Sequence, residues 1–281
     1  MSEVFPELTE DVIGRMKSAQ PRLCEVMTLL IRHLHAFVRE AALTQDEWRV
    51  AIDFMTRTGQ MCSESRQEFI LLSDILGVSM LVDAINNEAG EGITDSTVLG
   101  PFYAGPQREL ANGDSILLRE ENGEPLIMRG RVANEHGASI AGAKVEVWQT
   151  ATNQLYDVQD AEQPSGHLRA TFRTDANGNY KFKTVMPVSY PIPSDGPAGQ
   201  FLEKLGRHPF RPAHVHFMIS APGYRTLVTH LFVAGDTYLQ SDAVFGVKPS
   251  LIVKPKRDHG VQTITFDFGL AARIVESHAA G

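Results

Sequence analysis

The spacing of apolar residues changes near residue 98, and that change constrains the fold more than any other property of this 281-residue chain. Before it, apolar side chains recur every three to four positions, as on one face of a helix. After it they alternate, as on one face of a strand. A chain that uses the helical period first and the strand period second keeps its helices apart from its sheets, so α+β is the expected class.

In the first part, Thr9 is placed to cap a helix carrying Val12, Ile13 and Met16, and Pro21 to open a second. The second helix sets Leu23, Met27, Leu30, Ile31, Leu34 and Phe37 at helical spacing. Thr44 with Glu47, and Ser65 with Glu68, have the spacing of capping boxes. Gly77 suits a helix end or kink ahead of a helix over 79–86. These helices carry more apolar surface than one small domain hides, so part of it is expected to pack on a partner subunit.

In the second part, strands are expected over 126–133 and 144–149, joined through a turn at 134–137. Further strands are expected over 169–174 and 180–185, flanking the turn signal Asp175-Ala176-Asn177-Gly178, and over 214–220, 227–233 and 263–268. Many short strands separated by turns predict an antiparallel β-sandwich. The expected division is a helical domain over 1–98 and a sandwich over 99–281.

The net charge of −8 disfavours a general nucleic-acid binder, which needs a basic stripe to displace counterions. Cys24 and Cys62 both fall in apolar helical patterns and read as small buried thiols. The opening residues lack the basic-then-apolar form of a signal peptide, and no apolar run approaches the ~18 residues of a membrane span. The cytoplasm is the expected compartment.

Two histidines in Arg211-Pro212-Ala213-His214-Val215-His216 stand at i and i+2 in a predicted strand, so both imidazoles point to one side. His33 and His35 have the same spacing in a predicted helix, where they diverge and cannot chelate together. Alone, the strand pair supports two readings equally: metal ligation, or half-buried histidines satisfied by hydrogen bonds. His136, His167, His208, His259 and His278 fall in turns or tails and are expected to be solvated.

Tyrosine is the other donor that stands out. Tyr156 follows the 144–149 strand, and Tyr190 sits among Pro187, Pro191 and Pro193. Plugging a core edge explains either tyrosine as readily as ligation. A ligating tyrosine must be a phenolate, and its ordinary pKa of about 10 then calls for a strongly acidic cation such as ferric iron.

Taken together, Leu155-Tyr156, Tyr190-Pro191-Ile192-Pro193 and Arg211 through His216 resemble the intradiol ring-cleavage dioxygenases, the group of catechol, chlorocatechol and hydroxyquinol enzymes. The likeness runs from the helical half through Leu251. It implies one Fe(III) per subunit, held by Tyr156, Tyr190, His214 and His216, in a β-sandwich catalytic domain. It also implies a homodimer formed through the helical domain, with a phospholipid in a tunnel at the interface. The implied reactants are a small aromatic diol or triol and O2.

The same resemblance assigns substrate contacts to Leu71, Asp74, Val98, Leu99, Gly100, Pro101, Phe102, Ile192, Pro193, Arg211 and Val244. Phe102 stands where catechol enzymes typically carry leucine, which favours the hydroxyquinol branch. His230 stands where they usually carry glutamine, which resembles the hydroxyquinol and chlorocatechol branches and counts against simple catechol specificity. Leu71 and Asp74 share a helix face. Asp74 suits a substrate with an additional hydroxyl, although an exposed helix charge is an equally simple account. His230 is expected beside the ligand set rather than in it. In the implied chemistry Tyr190 departs from the metal and takes up a substrate proton, Tyr156 stays, and Arg211 stabilises charge developing on the ring. Hydroxyquinol would give 3-hydroxy-cis,cis-muconate, which tautomerises to maleylacetate.

Two rival readings remain at this level. One is a catechol or chlorocatechol 1,2-dioxygenase giving cis,cis-muconates. The other is a non-catalytic transthyretin-like binding module, because residues 130–137 followed by 140–145 look like the opening hairpin of such sandwiches.

Overall fold

The structure, a computed structural model, describes residues 6–63, 66–105 and 107–273. The chain divides into two compact units, Met1–Gln60 and Met61–Gly281.

The first unit is helical: α1 (Pro6–Gly14), α2 (Pro21–Glu40) and α3 (Gln45–Gln60). Pro21 opens α2 as expected, since the first helical turn has no use for an N–H there. Thr9 does not cap α1. It lies inside the helix, where its buried Oγ1 meets His35 Nδ1 at 3.0 Å and accepts from Arg39 Nη1 at 3.1 Å. A tertiary partner has taken the hydroxyl that the sequence pattern assigned to the backbone. The Thr44–Glu47 capping box forms reciprocally: Thr44 N–H donates to Glu47 Oε2 at 2.8 Å, and Glu47 N–H donates to Thr44 Oγ1 at 3.2 Å. His33 is exposed while His35 faces α1, as the helical spacing requires. Leu23, Leu30, Leu34 and Phe37 on α2, and Trp48, Val50 and Met55 on α3, are exposed.

In the second unit come α4 (Glu68–Ile75) and α5 (Val78–Asn86), separated by Gly77 at φ +73°. The Ser65 half of the second capping box lies outside the described residues. Glu68 is fully buried and serves another helix: its Oε1 accepts the Ala198 N–H of α6 (Pro197–Lys204) at 3.0 Å. Cys24 is half-buried in α2, Cys62 lies just past α3, and neither is in a disulfide.

The strands are β1 (Pro125–Asn134), β2 (Lys144–Trp148), β3 (Arg169–Arg173), β4 (Asn179–Val185), β5 (Tyr190–Pro191) and β6 (Phe210–Arg211). They continue with β7 (His214–Ser220), β8 (Leu227–Val233), β9 (Ile252–Val253), β10 (Lys256–Asp258), β11 (Val261–Thr265) and β12 (Phe268–Leu270). One sheet has β1 at its centre, beside β4, β11 and β12, with β10 outside β11. The other runs β3-β2-β7-β8-β9, and β5 and β6 form a separate ribbon. Most pairings are antiparallel, but β1 runs parallel to β11 and β12, and β8 parallel to β9. Neither five-stranded sheet is therefore wholly antiparallel, because strands late in the chain return beside earlier ones through long connections.

Two expectations change here. The run at 263–268 is two strands, because the first half of β1 pairs with β11 and the second half with β12. The break falls at Phe266-Asp267, where Asp267 Oδ1 accepts the Arg131 N–H at 2.8 Å. The end of β1 does fold back in a short hairpin, with Ala133 bridged antiparallel to Ser139 and the Ile140 N–H donating to the Val132 carbonyl at 2.9 Å. This turn does not pair β1 with β2, however, which belong to different sheets. One apolar cluster draws on both, with Met128, Val132, Phe182, Ile264 and Phe268 from the first and Val145, Phe172, Val215, Phe217 and Leu231 from the second. Alternation along each strand supplies these inward side chains.

His167 corrects another expectation. It is buried rather than solvated, with Nδ1 accepting the Leu118 N–H at 3.0 Å and Nε2–H donating to Glu121 Oε1 at 3.1 Å. The turn that carries it folds inward, which spacing does not reveal. His136 and His259 are exposed, His208 is half-buried against Ser241, and His278 lies outside the described residues.

Candidate metal centre

β7 enters the second sheet between β2 and β8, and its alternation sets His214 and His216 on one side. Both are buried, and their Nε2 atoms are 3.1 Å apart. His214 Nδ1–H donates to the Pro212 carbonyl at 2.7 Å, which leaves the lone pair on Nε2. His216 lies on the Trp148 indole, with ring centroids 4.7 Å apart and planes at 14°. Trp148 is its register partner across the β2–β7 ladder.

Tyr156 reaches the same point from the loop between β2 and β3, and Tyr190 from β5. Their hydroxyls are 3.1 Å apart. Tyr156 Oη is 2.9 Å from His216 Nε2, and Tyr190 Oη is 3.5 Å from His214 Nε2. All four side chains are buried. Two tyrosines and two histidines, singled out far apart in sequence, thus bring their donor atoms into one ring.

Burial drives every group here toward neutrality. It raises the Tyr156 phenol well above the ordinary 10.0, with Tyr190 adding to the effect, and it raises Tyr190 against the pull of Arg211. Burial, helped by the Arg211 charge, takes His214 down to about 3, and burial also holds His216 and His230 well below 6.5. Neutral imidazoles and phenols hold too few protons to link four converging lone-pair atoms to one another. One cation would satisfy all four, and neighbouring ligands about 2 Å from a shared ion lie about 3 Å apart. The donor set therefore fits a metal ion.

His230 is the cross-strand partner of His216 on β8, with ring centroids 4.1 Å apart. The ring nitrogens of His214, His216 and His230 lie within 4.8 Å of one another. His230 Nδ1 is held by Thr97 Oγ1, and its Nε2 has no hydrogen-bond partner among the described residues. Its ring lies beside both histidines, with its centroid 4.1 Å from that of His216 and 4.8 Å from that of His214.

Arg211 is buried, with Nη1 3.4 Å from His214 Nε2. Its other edge meets Asp242, Nε to Oδ1 at 3.1 Å and Nη2 to Oδ2 at 3.2 Å. Burial works against the Arg211 charge, and Asp242 with the two tyrosines more than restores it. Burial also opposes the Asp242 charge, but Arg211 holds that carboxyl below its ordinary value. Sequence reasoning missed Asp242, because nothing in its local pattern marks a partner 31 residues from Arg211.

Over the centre lies the 98–102 segment. Phe102 stacks on the Tyr156 ring, with centroids 4.6 Å apart at 25°. Gly100, at φ +77°, lies against His216: a Cβ there would sit 3.3 Å from Cε1, so a side chain would be strained and would press on the imidazole. Leu71, Pro101, Phe102 and Pro193 line a cavity of about 370 Å³. Leu71, Val98, Ile192 and Val244 share one apolar cluster with Ile75, Ala198, Leu202 and Ala243. Leu99 is 40% exposed, which separates it from that group. Asp74 is buried rather than an exposed helix charge. Burial raises its carboxyl above the ordinary value, against the pull of Ser79 and Arg211.

Comparison with known proteins shows which family the chain resembles. Residues 98–272 match the family model described as "Dioxygenase", and residues 20–94 match "Catechol dioxygenase N terminus". The 6-chlorohydroxyquinol 1,2-dioxygenase of Cupriavidus pinatubonensis is 48% identical over 265 residues, which is 94% of this chain and 96% of that protein. The hydroxyquinol 1,2-dioxygenase of a Rhizobium species is 49% identical over 255 residues, covering 90% of this chain and 86% of the relative. The solved structure of hydroxyquinol 1,2-dioxygenase from Pseudomonas putida DLL-E4 superposes with a TM-score of 0.87 at 46% identity, covering 95% of this chain and 97% of that one.

Proposed function

The chain belongs to the intradiol ring-cleavage dioxygenases, and from that premise we propose that it cleaves hydroxyquinol with O2, using one Fe(III) per subunit. The product is 3-hydroxy-cis,cis-muconate, which tautomerises to maleylacetate. The observation that carries this reading is the convergence of Tyr156, Tyr190, His214 and His216, with Phe102, which stacks on Tyr156, lining a cavity together with Leu71, Pro101 and Pro193. Two phenolic donors favour ferric iron, a hard and highly charged ion, over softer divalent metals. When bound there, the iron would acidify and orient the adjacent hydroxyls of the substrate and make the ring electron-rich toward O2.

The residues of the chain divide the remaining work. Tyr190, which would be a phenolate with the metal held, would take up a proton from the arriving diol on its Oη, while Tyr156 stays in place under the Phe102 ring. Arg211, held by Asp242, presents its buried charge to the oxyanion that develops on the substrate. The apolar wall of Leu71, Val98, Ile192 and Val244 keeps water from the ring. Asp74 receives the third hydroxyl, and Leu99, Gly100, Pro101 and Pro193 shape the approach. His230 supports His216 from the next strand. A catechol or chlorocatechol preference is the alternative, to be decided by relative turnover on the three substrates.

The two five-stranded sheets are inferred to stack as a sandwich in a catalytic domain over 99–281, following a helical domain over 1–98. The exposed apolar residues of α2 and α3 support a homodimer through the helical part, with a phospholipid at the interface. Among the described residues no helix is long and apolar enough to cross a membrane. The proposed compartment is the cytoplasm, in keeping with Cys24 and Cys62 as thiols.

The deciding experiment is the visible spectrum of the purified protein before and after anaerobic addition of hydroxyquinol. A broad tyrosinate-to-iron charge-transfer band that shifts with substrate is the expected result. Protein that stays colourless after iron reconstitution overturns the reading.

A further inference from the structure

Arg169 is one of the largest fully buried side chains of the chain, and no step described so far uses it. It begins β3, opposite Trp148 of β2, the indole that carries His216. Its Nε donates to Asp157 Oδ1 at 2.5 Å, and Asp157 is the residue after Tyr156. Its Nη1 donates to the backbone carbonyl of Phe102 at 2.7 Å. Its Nη2 has no hydrogen-bond partner among the described residues, and its guanidinium carbon lies 5.6 Å from the centre of the Tyr156 ring. Phe102 in turn stacks on the same ring.

A buried cation is costly unless it is paired, and breaking such a pair leaves an uncompensated charge. A guanidinium is suited to this place because its planar fork holds two acceptors in fixed directions while its face can meet an aromatic ring. Asp157 carries a matching constraint, since its Oδ2 accepts the Gly166 N–H at 2.8 Å and so anchors the loop that delivers Tyr156. The Arg169–Asp157 pair therefore joins three things: the loop bearing Tyr156, the backbone of the 98–102 segment and the field at the Tyr156 ring.

Resting on the reading of Tyr156 as an iron ligand, we propose that Arg169 is a positioning residue that sets both the electron-donating strength of Tyr156 and the placement of the Phe102 segment over the substrate. The first effect is electrostatic. A positive charge close to a phenolate lowers the energy of its donor electrons, and the Asp157 carboxylate offsets part of that field. The second effect is mechanical and runs through the Phe102 carbonyl. The two are separable, because lysine retains the charge but not the two-pronged reach.

The test uses full-length, iron-loaded protein and reads the tyrosinate-to-iron band, iron content and steady-state kinetics with hydroxyquinol. Arg169→Met should move the band to longer wavelength by on the order of 20 nm, because the field at the ring is lost. Asp157→Asn should move it the opposite way, because the arginine charge is no longer offset. Arg169→Lys should leave the band near its wild-type position yet raise KM roughly tenfold, through the loosened Phe102 segment. A merely structural role would not produce shifts of opposite sign from the two partners. Should the methionine variant fail to fold, the asparagine and lysine variants still decide the matter. Unmoved bands with unchanged KM in a coloured, iron-replete series overturn this proposal alone. A wild-type protein that is colourless after reconstitution overturns the ligand reading beneath it, and this proposal with it.

Discussion

Tyr190 and Arg211 are direct register partners in the β5–β6 ribbon, so the residue proposed to take the substrate proton and the residue proposed to steady the resulting charge are fixed to each other by a pair of hydrogen-bonded strands. Arg211 is also fastened by Asp242 on its far edge. Arg211→Ala should therefore keep its iron and its colour while kcat falls by roughly 10²- to 10³-fold, the usual cost of losing one stabilising donor. Iron content measured beside kcat checks this. Loss of iron in the variant would instead make Arg211 structural.

Tyr156 touches both Tyr190 and His216 through its hydroxyl. Tyr156→Phe removes that atom and keeps the ring stacked beneath Phe102. The expected outcome is a protein of near-normal fold that has lost most of its visible band and its ring-cleaving activity. Retention of both would remove Tyr156 from the ligand set.

Asp74 is a buried carboxyl on α4, and burial raises its proton affinity. A site built to hydrogen-bond an extra hydroxyl penalises substrates that lack it. Asp74→Ala should lower kcat/KM for hydroxyquinol by roughly 10- to 100-fold and leave catechol turnover nearly unchanged. Equal losses on the two substrates would take Asp74 out of the specificity argument.

The Thr44–Glu47 box closes the start of α3 with reciprocal hydrogen bonds. Thr44→Ala should cost about 1 kcal/mol, the typical value for losing such a cap. Chemical denaturation monitored by circular dichroism would register it, with hydroxyquinol turnover unaffected.

Burial holds His167 below its ordinary 6.5, against the pull of Glu121. The unfolded chain therefore binds a proton near pH 6.5 that the folded chain takes up only at lower pH. Stability from this group is complete above that value and is lost as pH falls from 6.5 toward the depressed folded value. Replacing His167 by Gln should flatten this part of the profile. Thermal melts of wild type and variant from pH 7.5 to 5 would show it, and identical slopes would contradict the assignment.

How much of this was legible beforehand varied with the range of the interaction. The α2 start at Pro21, the Thr44–Glu47 box and the same-sided pair His214 and His216 all followed from spacing, because backbone period alone decides which neighbours can meet. Thr9 failed as a cap because its hydroxyl had a better partner on another helix. His167 failed as a solvated residue because its turn folds inward onto Glu121. The tyrosines were legible as ligands only through resemblance to a family, since neither the loop of Tyr156 nor the proline-rich setting of Tyr190 fixes where a hydroxyl ends.

By itself, then, the amino-acid order determined most of the longer helices and strands, the start of α2, the Thr44–Glu47 box and the direction in which His214 and His216 point. Tertiary structure alone decided that Tyr156 and Tyr190 meet them, that Asp242 holds Arg211, and that Arg169 ties Asp157 to the Phe102 carbonyl. The reason is physical. Period and capping act between residues a few positions apart, whereas the convergence of buried polar groups depends on which distant strands pair and on which charges must be matched once water is gone.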